Sequence, residues 1–150
     1  MKVLATNREL NFKYEVLETY TCGIELKGTE VKSIRQAKVN LKDGFALIEK
    51  GEVWLMNVYI AHYEQGNRNN VDEMRNRKLL MHKEEISRLL GKVTQGGFTL
   101  VPYKMGFEHG YVKVELALCK GKKLYDKRQD IAKKDAERRM QKALRANEKL

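Results

Sequence analysis

Phe45-Ala46-Leu47-Ile48-Glu49-Lys50-Gly51-Glu52-Val53-Trp54-Leu55-Met56-Asn57-Val58 is the stretch whose reading decides the fold class. Two short apolar runs flank a polar joint that contains glycine, the pattern of a compact β-hairpin. Working outward, Phe12-Lys13-Tyr14-Glu15-Val16 alternates apolar and polar residues, as a half-buried strand does. Tyr20 to Lys27 does the same and stops at Gly28. Phe98–Val101 and Tyr111–Leu118 supply two more strands. About six strands at this spacing predict a mainly β fold, a small antiparallel barrel, because closure removes exposed sheet edges. The single proline, Pro102, belongs on this reading at a strand end or sheet edge.

Helices interrupt the strands. Thr29 can cap a short one over about 29–37, with Val31 and Ile34 on one face. A second is predicted over Lys83–Leu90, where Ile86, Leu89 and Leu90 share a side and Gly91 ends it. Gln65 to Asn70 reads as a polar loop, and Gly96-Gly97 as a turn before Phe98.

Charge is spread unevenly along the 150 residues, whose formal net charge is +10. Most of the surplus lies beyond Cys119, where basic residues outnumber acidic ones by more than two to one. A surplus of that size favours a polyanionic partner, nucleic acid before membrane. Past Lys120-Gly121-Lys122-Lys123 the chain is rich in Ala, Lys, Arg, Met and Leu, all good helix formers. On a helical projection Lys134, Arg138, Lys142 and Arg145 fall within an arc of about 80°. The opposite face is mostly alanine, too thin to dock firmly. The tail is therefore expected to be disordered when free and helical on an anionic partner. The division expected is a body over 1–123 and a tail over 124–150.

Enzyme chemistry finds little support. His62, His82 and His109 lack ligand-spaced partners, and two cysteines, Cys22 and Cys119, are too few for the usual structural zinc site. No Walker-type loop or nucleophile elbow occurs, and neither cofactor nor metal is expected. Glu30-Val31-Lys32, with Asp43 as a second carboxylate, matches a fragment of metal-dependent nucleases. So short a match arises often by chance, and a solvated charge pair at a helix start is the favoured reading. Tyr14, Tyr20, Trp54, Tyr59 and Tyr63 are candidate stacking platforms, with only one or two expected to face RNA. Arg75-Asn76-Arg77-Lys78 is either a phosphate contact or simply a solvated surface. Membrane association is set aside, because the tail's apolar face carries alanine where anchoring side chains would be needed.

The residues then become specific. Asn7-Arg8, Tyr14 to Tyr20, Gly23-Ile24 and Gly28-Thr29-Glu30-Val31-Lys32-Ser33-Ile34-Arg35 closely resemble the SmpB family, the tmRNA-binding small protein B of bacteria. The likeness continues through Asn40-Leu41, Arg77-Lys78-Leu79-Leu80, Glu85-Ile86, Leu100-Val101-Pro102 and Lys113 to Ala117. It ends with Gly121-Lys122-Lys123 and Tyr125-Asp126-Lys127-Arg128, so it covers essentially the whole chain. Departures are local: Glu9-Leu10-Asn11, Thr21-Cys22 and Met105-Gly106-Phe107.

The resemblance implies an oligonucleotide-binding (OB)-type β-barrel with flanking helices and a basic, conditionally helical C-terminal tail. It implies a cytoplasmic, non-enzymatic protein, taken as a monomer, that grips the tRNA-like domain of tmRNA. The complex would enter ribosomes stalled on truncated mRNA so that the nascent chain is tagged, with elongation factor Tu a partner through tmRNA. On the body, the matched positions Asn7, Arg8, Glu30, Lys32, Asn40, Lys122 and Lys123 would face RNA, Glu30 by accepting hydrogen bonds from it. On the tail, Tyr125, Asp126, Lys127 and Arg128, with Lys134, Arg138, Lys142 and Arg145, would meet the decoding centre and the vacant mRNA channel.

Overall fold

The computed structural model of the chain describes residues 1–64 and 70–121. The polar loop expected over 65–70 falls almost wholly outside them, and the tail expected over 124–150 entirely so. Within them the elements run β1 (Lys2–Thr6), α1 (Leu10–Lys13), β2 (Tyr14–Ile24), α2 (Gly28–Arg35), β3 (Val39–Asn40) and β4 (Phe45–Glu49). They continue with β5 (Glu52–Met56), β6 (Tyr59–Ile60), β7 (Arg77–Leu80), α3 (Lys83–Thr94), β8 (Phe98–Glu108) and β9 (Tyr111–Gly121).

The β4–β5 hairpin forms as its sequence predicts, in register from Phe45↔Met56 to Glu49↔Glu52. Its two turn residues, Lys50 and Gly51, both take positive φ, +52° and +76°. A two-residue turn of that hand matches the right-handed twist of the flanking strands. From this hairpin the sheet runs β8-β4-β5-β7-β2-β9, and β9 returns to β8 along its whole length. Six antiparallel strands therefore close on themselves in an OB-like barrel. β9 occupies one edge of β8; the other is shared, with Leu100 facing Ala46 of β4 and Lys104–Phe107 facing β1. Gly106 permits the β1 contact, since a Cβ there would lie 1.9 Å from the Lys2 carbonyl oxygen.

Alternation fills the interior. Val53 and Leu55 on β5, Leu79 on β7, and Val114, Leu116 and Leu118 on β9 are buried together, joined by Ile34 of α2 and Leu89 of α3. The other face of β8 and β9 supplies Val101, Ala117 and Cys119 to a smaller cluster sealed by Leu10 of α1. Both cysteines are buried and free, and burial raises the Cys22 thiol to about 12 and Cys119 to about 11.

Four expectations need correction. The segments around Phe12–Val16 and Tyr20–Lys27 are one strand, β2, with a bulge between Val16 and Glu18 that absorbs the broken alternation, while Phe12 and Lys13 belong to α1. Pro102 lies inside β8 and not at its end, but the sheet-edge alternative holds locally: it pairs with Leu116 of β9 on one side, while on the other the ladders to β4 at Leu100 and to β1 from Lys104 leave it out. Gly91 does not end α3. The helix continues to Thr94, whose hydroxyl donates back to the Leu90 carbonyl at 2.8 Å, and it stops at Gly96 and Gly97, with φ +88° and +81°. Thr29 does not cap α2 either. The cap residue is Lys27, whose backbone N–H donates to Glu30 Oε1 at 2.9 Å.

Candidate nucleic-acid interface

Glu30 sits in the first turn of α2, where a carboxylate is favoured by the helix dipole. It is not solvated: the residue is only 3% exposed. Oε2 accepts from Arg77 Nε at 2.5 Å, and Oε1 accepts from Arg75 Nη2 at 2.6 Å and from the Lys27 N–H. Burial alone would raise its pKa, but the bonds from Arg75, Lys27 and Arg77 outweigh it and hold the carboxyl below its ordinary value. The reading of a solvated charge pair is therefore wrong. So is a direct hydrogen bond from RNA to this carboxylate, whose oxygens are engaged inside the protein. The nuclease reading fails on the same geometry. Residues two apart on a helix point about 200° from each other, and here Glu30 is buried while Lys32 is exposed. Among the described residues no cluster of His, Cys, Asp or Glu could hold a metal ion.

Arg77 opens β7, the strand that the basic cluster Arg75-Asn76-Arg77-Lys78 conceals. It is 0% exposed, so the solvated-surface reading does not hold for it. All three of its nitrogens are used: besides Glu30, Nη1 donates to Val58 O at 2.7 Å and Nη2 to Glu73 O at 3.0 Å. The pair clamps α2 to the barrel, helped by the Ser33 hydroxyl on Ala61 O at 2.6 Å.

With α2 so held, the remaining expected residues divide. Lys32 is exposed, its ammonium 5.2 Å from the centre of the Tyr63 ring. Arg8 and Asn40 line one surface pocket together with Thr6, Val39 and Leu41. Asn40 Oδ1 accepts from the Lys42 N–H at 2.9 Å, which turns the chain after β3. Asn7 does not present its side chain outward. It is buried, its N–H donates to Tyr103 O at 2.7 Å and its Nδ2 to Pro102 O at 3.4 Å, so it positions Arg8 beside it. Lys122 and Lys123 lie outside the described residues, as do Tyr125, Asp126, Lys127, Arg128, Lys134, Arg138, Lys142 and Arg145. Gly121, which precedes Lys122, is paired with Tyr14.

The fold adds groups that sequence reasoning missed. Arg35, 5.5 Å from the Phe107 ring, and Lys38 are exposed and lie in sequence between Lys32 and Asn40, so the exposed side chains leading from α2 to the Arg8–Asn40 pocket form a largely cationic strip along the chain. Tyr59, 40% exposed and opposite Asn40 in the β3–β6 ladder, is the stacking candidate best placed on it. The signal for Arg35 is present as helix periodicity, since Ser33 and Ile34 face inward, whereas Lys38 lies past the helix end and past Ala37 at φ +57°, where no period applies. A second cationic surface lies away from this strip, where Lys50, Lys78, Lys83 and Lys113 line an open groove between the β4–β5 turn and α3.

The SmpB protein family profile matches residues 4–146. The SsrA-binding protein of Carboxydothermus hydrogenoformans is 59% identical over 145 residues, 97% of each chain. That of Thermosynechococcus vestitus is 56% identical over 146 residues, 97% of this chain and 96% of the relative. A solved structure described as "tmRNA-SmpB: a journey to the center of the bacterial ribosome" contains a chain 56% identical to this one, with a TM-score of 0.68, covering 80% of this chain and 85% of that one. The residues, the barrel and the full-length likeness lead to one statement: the chain belongs to the SmpB family.

Proposed function

We propose that this protein binds the tRNA-like domain of tmRNA and brings it to ribosomes stalled on truncated mRNA, where residues 124–150 read the empty mRNA channel. The observation that carries this reading is likeness to SsrA-binding proteins along nearly the entire chain. The geometry supports it: Lys32, Arg35, Lys38 and Arg8 are exposed cations on a closed barrel and its α2 helix, and Arg8 shares a surface pocket with Asn40. Cations so placed neutralise phosphates, and the adjacent Tyr59 offers a face to a base. Lys122 and Lys123, following Gly121, extend the body's phosphate contacts, and Tyr125, Asp126, Lys127 and Arg128 engage the decoding centre after docking. Elongation factor Tu takes part through tmRNA, and the protein acts as a cytoplasmic monomer without a cofactor.

The test is binding of the purified chain to tmRNA and, at equal concentration, to an ordinary tRNA. A clear preference for tmRNA is expected, and Lys123→Ala is expected to lower the slope of log affinity against log salt by about one. Equal binding of both RNAs would replace this reading with that of a generic structured-RNA binder.

A further inference from the structure

We infer that Arg75 is the group through which the Glu30 site meets RNA, at a backbone phosphate, and that Glu30 positions it without touching the nucleic acid. The inference rests on the tmRNA reading above and deepens it. Neutralising one buried carboxylate takes one guanidinium, and Arg77 supplies it with every nitrogen engaged. Arg75 is therefore surplus to that need. Two guanidinium groups against one carboxylate leave the cluster with one positive charge, and only Arg75 reaches solvent, its side chain 30% exposed against 1% for Arg77.

Arg75 is also held but not satisfied. Its one short bond is Nη2 to Glu30 Oε1 at 2.6 Å. The contacts of Nη2 to Glu25 O and of Nη1 to Asn76 O are both 3.5 Å, at the weak limit for a hydrogen bond. Nε is buried and meets no acceptor among the described residues, so the donors left for a ligand are those of the outer edge, Nη1 and the second hydrogen of Nη2. A planar fork anchored at one edge, with donors to spare at the other, suits the oxygens of a phosphate, which guanidinium groups take two at a time. The anchor, Glu30, lies in the first turn of α2 on the side turned away from Lys32 and Arg35, so Arg75 offers a phosphate contact separate from theirs.

The experiment measures tmRNA and tRNA binding by the full chain across a salt series, with Arg75→Gln, Arg75→Lys, Glu30→Gln and the Glu30→Gln/Arg75→Gln double variant. Arg75→Gln leaves the Glu30–Arg77 pair intact. It is expected to lose about tenfold or more in tmRNA affinity and to lower the salt slope by about one. Arg75→Lys keeps the slope but not the full affinity, since a point charge cannot replace the fork. Glu30→Gln separates two pictures by sign. It raises the net charge, so field alone would tighten binding; release of Arg75 would weaken it, and the double variant would then lose no more than Arg75→Gln alone. Should Glu30→Gln fail to fold, the two Arg75 variants decide. Wild-type binding by Arg75→Gln, or additive losses in the double variant, would overturn the inference while leaving the tmRNA reading intact. A wild-type chain that does not prefer tmRNA would overturn that reading, and this inference with it.

Discussion

Arg77→Met converts the buried guanidinium into an apolar side chain of similar length, and its cost follows from the hydrogen bonds it removes. Glu30 gives up its 2.5 Å bond from Nε, and the Val58 carbonyl its 2.7 Å bond from Nη1. The Glu73 carbonyl is spared, because it also accepts from the Ile60 N–H at 3.0 Å. Removing one partner of a buried pair costs ~3–5 kcal/mol, and the lower end applies here because Arg75 still faces Glu30. Stranding the Val58 oxygen adds about 1–3 kcal/mol, part of which the buried methionine returns. A net loss of about 4 kcal/mol is expected, a large fraction of the roughly 5–15 kcal/mol that holds a domain together. Urea unfolding followed by Trp54 fluorescence should show the midpoint falling by about 2 M at unchanged slope, for a typical slope near 2 kcal/mol per M. A cost below about 0.5 kcal/mol, usual for a surface substitution, would refute the buried-clamp reasoning and return Arg77 to the solvated cluster.

Acid should release the same clamp. The Glu30 carboxyl titrates below its ordinary 4.5 in the folded state, so its contribution is complete above pH 4.5 and is lost as pH falls through the folded value; urea midpoints of wild type and Glu30→Gln should therefore converge on acidification, and a constant gap would refute this. Gly106→Ala should expel β1 from β8, since no backbone can stay 1.9 Å from a Cβ; amide exchange at Lys2–Thr6 should rise while Leu79 and Leu116 stay protected. Deleting residues after Lys123 should spare tmRNA binding and abolish tagging of nascent chains on stalled ribosomes. Ala136→Pro should impair tagging in the same selective way, and full tagging by that variant would show that the tail acts without forming a helix.

What is legible in the sequence follows from the range of the interactions that create each element. β4, β5, β8 and β9 announce themselves because alternation and turn chemistry are local, and Lys50-Gly51 suits the turn it makes. β7 is hidden because it begins Arg77-Lys78, and an arginine can be read as buried only once its carboxylate is known. That carboxylate is 47 residues away. Asn7 defeats a reading from sequence for the same reason, its partner Pro102 lying 95 residues away with Tyr103 beside it. The two-residue ladder of β3 and β6 is too short to show a period. At Glu30 the resemblance marks a position, but a motif carries no depth, and depth decides whether a carboxylate meets a ligand or braces its neighbours inside the protein.

Depth also bears on why an ion pair stands there at all. Replacing a buried pair with well-packed apolar residues is often neutral or stabilising, so Glu30 and Arg77 are not explained by stability alone. What the pair adds is direction. An apolar contact between α2 and β7 would tolerate rotation and sliding of an eight-residue helix; a carboxylate bonded by Arg75, Arg77 and the Lys27 N–H tolerates neither. Fixing α2 in rotation fixes where Lys32 and Arg35 emerge, and fixing it along its axis sets where β3 begins and hence where Asn40 meets Arg8. β7 can serve as the reference because closure of the barrel bonds it on both edges, to β5 and to β2. The interior charge thus acts at the surface: it converts the rigidity of a closed sheet into a set spacing of cations, which recognition of one particular folded RNA requires and nonspecific attraction to phosphate does not.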